Sequence, residues 1–87
     1  MNEEKEMNVT DRFSTDPVVK LKSYMVEDMT RALANPENLL EDGSVNWNFV
    51  DADTYMDTIA RYPLDQREFV EKTFYTLFDN VADEVVA

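Results

Sequence analysis

Three aspartates fall within seven residues in the run "DADTYMD", Asp51, Asp53 and Asp57. Carboxylates this close can ligate a hard cation, share a proton for acid–base work, or meet a basic partner. A calcium loop of the helix–loop–helix type needs oxygen ligands at positions 1, 3 and 5, a glycine at 6 and a glutamate at 12. Counted from Asp51, position 5 is Tyr55, position 6 is Met56 and position 12 is Tyr62; counted from Asp42, position 6 is Trp47 and position 12 is Asp53. Both frames fail at the glycine, so no metal is expected. Asp53 and Asp57 lie one helical turn apart and could approach each other. Catalysis would require a buried cleft to move one of their pKa values. Both stand away from the apolar positions of their segment, and a bundle this small has little room for such a cleft.

The stretch just before them, "SVNWNFV", carries the one tryptophan, Trp47, and Phe49. Aromatics that stack on bases work beside a basic groove. Here residues 35–60 hold six acids and no base. The chain has no cysteine and no histidine. Disulfides, thiol nucleophiles, histidine acid–base chemistry and zinc ligation by those residues are therefore unavailable. No Ser/His/Asp set or glycine-rich phosphate loop is present. No enzymatic activity and no cofactor are expected.

Charge is the most informative feature. Eight basic against nineteen acidic residues give a net charge of -11. The excess is concentrated in residues 35–60, while the segment 17–34 is nearly neutral. Such a field repels nucleic-acid phosphates and anionic membranes, so neither is an expected direct partner. It suits a basic surface on another protein. The candidate contact residues are Glu41, Asp42, Asp51, Asp53 and Asp57, with Trp47 and Phe49 as apolar anchors. The competing reading is a solvated acidic face that only keeps the protein in solution.

These residues must be positioned by the rest of an 87-residue chain. A chain of this size forms one domain and buries only about 60–65% of its unfolded surface. One glycine and three prolines leave few sharp turns, which favours helices. In "DPVVKLKSYMVEDMTRALANP", Asp16 is a good N-cap and Pro17 sits where its missing N–H costs nothing. Val18, Leu21, Met25, Met29 and Ala32 form one stripe, and Asn35-Pro36 ends the helix, predicting residues 17–34. Leu39 and Leu40 are expected to tuck inward, and Asp42-Gly43 marks a turn. The spacing of Ala52, Tyr55, Met56, Ile59 and Tyr62 predicts a second helix capped by Asp51, with Asp57 and Arg61 paired one turn apart. In the third, Asp65 and Glu68 match a capping box and Leu64 and Phe69 a hydrophobic staple. Val70, Phe74, Leu77, Phe78, Val81 and Val85 line one face, predicting residues 66–84.

The whole reads as an all-α, three-helix bundle over residues 16–87. A mobile acidic arm, residues 1–15, precedes it, with Val9 and Phe13 as anchors. The arm has the composition of neither a signal peptide nor a transit peptide, and no window approaches the ~18 apolar residues of a membrane span. A cytoplasmic location is expected. Val45, Trp47 and Phe49 alternate with Asn46 and Asn48 over five residues only. That predicts an extended aromatic loop between the first two helices, with Trp47 largely buried against helices one and three and Asn46 and Asn48 facing out.

The run "VNWNFVDADTYMD", in a short, acidic, cysteine-free chain, resembles small proteins of tailed phages, notably those infecting marine cyanobacteria. The resemblance covers about a sixth of the chain. It implies action by binding host machinery such as RNA polymerase, nucleases or defence complexes, and assigns no residue. The residues themselves support two readings. One is an interaction module that modulates or inhibits a larger protein through its basic surface, even as a DNA mimic, since carboxylates at i, i+3 and i+4 stand about 5–6 Å apart. The other is an assembly subunit that dimerises through Tyr24, Tyr75 and Val86, which lie off the main stripes.

Overall fold

The structure, a computed structural model, describes residues 16–87. The N-terminal arm, with Val9 and Phe13, lies outside the described residues. So does any pairing of that arm with residues 44–50. Three α-helices and two short 3-10 turns make up the described fold, which is the all-α architecture expected.

Helix α1 spans Pro17–Leu33. Its start follows the sequence: the Asp16 carboxylate accepts a hydrogen bond from the Val18 N–H at 2.9 Å, and Pro17 fills the first position. Leu21, Met25, Met29 and Ala32 are buried, whereas Val18 remains exposed at the helix mouth. Arg31 in the last turn faces the negative end of the helix dipole. Asn35 then starts a 3-10 turn over Pro36–Asn38 by accepting from the Glu37 N–H.

The connector is a small closed loop. Leu39 and Val45 form an isolated antiparallel bridge. Between them the chain reverses at Gly43, whose φ of 88° is costly for any residue with a Cβ. Asp42 accepts from both the N–H and the hydroxyl of Ser44. Leu39 and Leu40 do not tuck inward; both are exposed, because the bridge holds their backbone at the rim of the fold.

Helix α2 spans Trp47–Ile59, so it begins four residues before the expected Asp51 cap. Asn46 is the cap, with its side chain accepting from the Phe49 N–H at 3.4 Å. The alternation read as an extended loop is a helix start. Asn46 is as good a cap as aspartate, and the bridge at Val45 delivers it in the extended conformation a cap needs. Val50, Thr54 and Thr58 face the core, while Phe49, Ala52 and Met56 are exposed. Trp47 is 39% exposed and packs edge-on against Phe78, its one aromatic neighbour among the described residues. The expected inward positions of Ala52 and Met56 and the expected burial of Trp47 are thus corrected, while Tyr55, Ile59 and Tyr62 do meet the core.

A second 3-10 turn, Leu64–Gln66, precedes α3, Arg67–Val86. That turn displaces the expected capping box. Gln66, not Asp65, stands at the cap, and no side chain bonds there. Leu64 is 80% exposed, so no staple forms with Phe69. The Arg67 Nε instead donates to the Tyr62 carbonyl at 3.0 Å and pins the corner. Val70, Phe74 and Val81 are fully buried, with Leu77, Phe78 and Val85 packed beside them.

Helix α1 is the central member: α2 and α3 each pack extensively on it and touch each other far less. The fully buried apolar side chains come mainly from α1 and α3. Helix α2 contributes Val50 alone, beside two threonines.

Candidate protein-interaction surface

Helix α2 departs in part from the usual amphipathic pattern: Val50 is buried and Tyr55 and Ile59 pack on the core, but two threonines also point inward and two large apolar side chains point out. At 100° per residue, Val50, Thr54 and Thr58 share its inner face, and Phe49, Ala52 and Met56 its outer one. Phe49 is 54% and Met56 65% exposed, whereas Thr54 and Thr58 are fully buried. Scattered exposed apolar residues are ordinary, but an apolar ridge two turns long on a short helix whose threonines point inward is informative.

A buried charge accounts for the inward threonine at 58. The Asp28 carboxylate of α1 has no solvent exposure. It accepts from the Thr58 hydroxyl at 2.8 Å and from the Arg61 fork at 3.0 and 2.8 Å. Arg31 donates a fourth bond at 3.0 Å. Four donors fill the four acceptor directions of a carboxylate, which leaves none for a substrate or a proton. Burial pushes the Asp28 carboxyl up, but the Arg61 and Thr58 hydrogen bonds, the Arg61 charge and Arg31 together hold it below the ordinary aspartate value. The Arg61 guanidinium also lies over the Tyr24 ring at 4.7 Å, and Tyr24 meets Tyr62 edge-on. This cluster clamps the end of α2 to α1. It has the geometry of a structural lock, and it occupies Tyr24, one of the residues considered for a dimer seam.

The seven candidate contact residues do not form one patch. Asp51 and Asp53 project about 160° apart around α2. Trp47 and Asp51 lie on the side facing α3. There the Tyr75 hydroxyl donates to Asp51 at 2.9 Å, and Tyr75 stacks on Tyr55. Burial, and after it Asp51, raises the Tyr75 phenol above its ordinary value. Asp53 lies on the opposite flank, where it accepts from the Asn38 side chain at 2.9 Å. Asp57, further along that flank, meets Arg31 at 3.5 Å. The expected Asp57–Arg61 pair does not form, because Arg61 reaches across to Asp28 and Glu27. Glu41 and Asp42 sit apart on the exposed loop, where bonds from Ser44 lower the Asp42 pKa. Glu37, Glu41, Asp42, Asp51 and Asp53 have no ion pair with any described base, while Lys22, Lys72, Arg31 and Arg61 are paired with other acids.

A cleft of about 310 Å³ opens beside the ridge, between the first 3-10 turn and α2. It is lined by Asn35, Glu37, Asn38, Phe49, Ala52 and Asp53. Asn38 was absent from the sequence reading, as were Asp28 and Glu37. Asp28 is visible in principle: at 100° per residue it lies about 20° beyond Leu21, at the edge of the Leu21, Met25, Met29 and Ala32 stripe, a charge beside an apolar face. Nothing in the sequence singled out Asn38, whose role depends on the bridge that folds the connector back.

Among the described residues, no group of three or more acidic side chains is arranged to hold a metal ion, and no helix is long and apolar enough to cross a membrane. Searches of family models, curated proteins and solved structures found no match to this chain.

Proposed function

We propose that the protein is a non-catalytic interaction module that docks on a basic surface of a larger protein and thereby modulates or inhibits it. The observation that carries this reading is the orientation of α2. Its apolar ridge, Phe49 and Met56, faces outward, bordered by Asp51 and Asp53, which have no ion pair among the described residues, and by Asp57, which meets only Arg31. An apolar centre with a charged rim is the anatomy of a protein contact. The rim supplies steering and orientation, the ridge most of the affinity.

The net charge of -11 disfavours self-association through this face. The acids stand on two flanks with the ridge between them, an arrangement suited to anchored docking on a protein more than to imitating one phosphate strand. A nucleic-acid channel of the larger protein remains one basic surface that such a module can occupy. In the setting the phage resemblance implies, that larger protein belongs to the host.

The test compares capture of basic proteins from lysate by the immobilised parent and by the Asp51→Asn/Asp53→Asn/Asp57→Asn variant. The parent should retain a partner that high salt releases, and the variant should lose it. Capture that is indifferent to both salt and substitution contradicts the reading. Light scattering at high concentration separates the assembly alternative, for which Tyr75 and Val86, both exposed, supply the surface.

A further inference from the structure

From the cleft beside α2 we infer a more specific feature of this docking face: it receives one arginine side chain of the partner. The inference rests on the functional reading above and adds the chemistry of one contact. Two carboxylates line the cleft, Glu37 and Asp53, and neither has an ion pair among the described residues. Asn38 is only 4% exposed. Its amide nitrogen donates to the Ala32 carbonyl at 2.8 Å and to Asp53 at 2.9 Å. Both of its N–H bonds are therefore used, and what this buried side chain has left to offer is its carbonyl oxygen, an acceptor without a described donor. The Asn35 side-chain oxygen is turned to the Glu37 N–H. The unused groups of Glu37, Asn38 and Asp53 are thus all acceptors.

Acceptors from three side chains around one small cleft call for a ligand rich in donors. A bare metal ion fits poorly, since only two of the three groups are anionic and one wall is the exposed phenyl ring of Phe49. A guanidinium fits each element. Its planar fork offers five donors to the carboxylates and the amide oxygen, and its face stacks on an aromatic ring. Its methylene stem can lie along Ala52 and the Phe49 ridge while the head stays between the charges. A lysine ammonium satisfies the charge but presents a compact, strongly hydrated head that gains less from the ring. The closed connector makes the cleft: the Asn46 N–H bonds the Asn38 carbonyl at 2.8 Å and holds the 3-10 turn against the start of α2.

The experiment is a titration of the full chain, followed by amide NMR shifts, with N-acetyl-arginine N-methylamide. The citrulline and lysine counterparts serve as the neutral isostere and the alternative cation. Shifts should concentrate at Glu37, Asn38, Phe49 and Asp53, with arginine binding tighter than lysine and citrulline leaving these amides unmoved. The Glu37→Gln/Asp53→Asn variant should keep its dispersed spectrum and bind arginine roughly fivefold more weakly, the scale of a partly exposed ion pair. Phe49→Leu, which keeps the apolar surface but removes the ring, should abolish the preference for arginine over lysine. Shifts spread equally over Glu41, Asp42, Asp79 and Asp83, an equal response to citrulline, or no response at all would overturn the assignment. Those outcomes leave salt-sensitive partner capture as a separate observation, so the cleft and the docking reading can fail independently.

Discussion

The two interfaces of α1 are built from different materials. With α3 it shares an apolar core in which Leu21, Met25 and Met29 of α1 and Val70, Phe74 and Val81 of α3 are all without exposure. Burial there is non-directional and scales with area, at about 25 cal/mol per Å². Toward α2 the contact also contains a buried carboxylate, a guanidinium fork and a threonine hydroxyl, which bond in one register only. Buried ion pairs contribute little net stability, because desolvation offsets the attraction, but breaking one is costly. The register of α2 on α1 is thus set by a lock that acts beside the apolar contacts of Val50, Tyr55 and Ile59, while Phe49 and Met56 stay outside.

Substitutions can break this comparison in a graded order. Phe74→Ala, on the apolar side, should cost about 3–5 kcal/mol and unfold much of so small a domain, read by chemical denaturation. Arg61→Ala should cost about 3 kcal/mol, since it strips the fork from a buried carboxylate. If the lock account holds, Asp28→Leu combined with Arg61→Met should be more stable than Arg61→Ala alone. The same lock sets a pH dependence. The folded Asp28 pKa is depressed, so its contribution is present above the unfolded value, about 3.9, and is lost as pH falls through the folded value. Denaturation midpoints should therefore drop on acidification below about pH 4, and less so in the Asp28→Leu/Arg61→Met variant.

Trp47→Ala should cost less than a core aromatic, about 1–2 kcal/mol, because the ring is partly exposed and rests on Phe78 as its one aromatic neighbour among the described residues. The smallest effect is expected at Tyr62. Burial, reinforced by Tyr24, pushes its phenol up to about 12, and its hydroxyl has no hydrogen-bond partner among the described residues. A raised pKa on this acid means stability present below the unfolded value of about 10 and lost as pH rises toward 12. Tyr62→Phe should be neutral or slightly stabilising at pH 7 and should blunt the alkaline loss, measured by melts from pH 9 to 12.

The sequence made some of this legible and hid the rest for physical reasons. The first helix was readable nearly to the residue, because Asp16, Pro17 and Asn35-Pro36 are strong local signals that nothing in the tertiary structure contradicts. The third helix was readable as a stripe but not at its start, where a 3-10 turn overrode an apparent capping box. The second helix was misphased. Its real cap, Asn46, is hidden in a five-residue alternation; of the apolar stripe, Tyr55, Ile59 and Tyr62 do reach the core, whereas Ala52 and Met56 stay outside and Thr54 and Thr58 take inner positions. Local periodicity cannot reveal a helix oriented by a long-range ion pair. The acidic candidates are numerous, but Asp57 is paired with Arg31, and the division of the others between two flanks of α2 depends on the helix that begins at Trp47.

The central claim is that the outer face of α2 serves binding and contributes little to stability. The most direct measurement pairs a thermal melt with salt-resolved partner capture for Phe49→Ser/Met56→Ser. Each substitution should change stability by no more than about 0.5 kcal/mol, so the melt should stay close to the parent's while capture is lost. A variant that unfolds, or one that folds and still captures the same partner, contradicts the account.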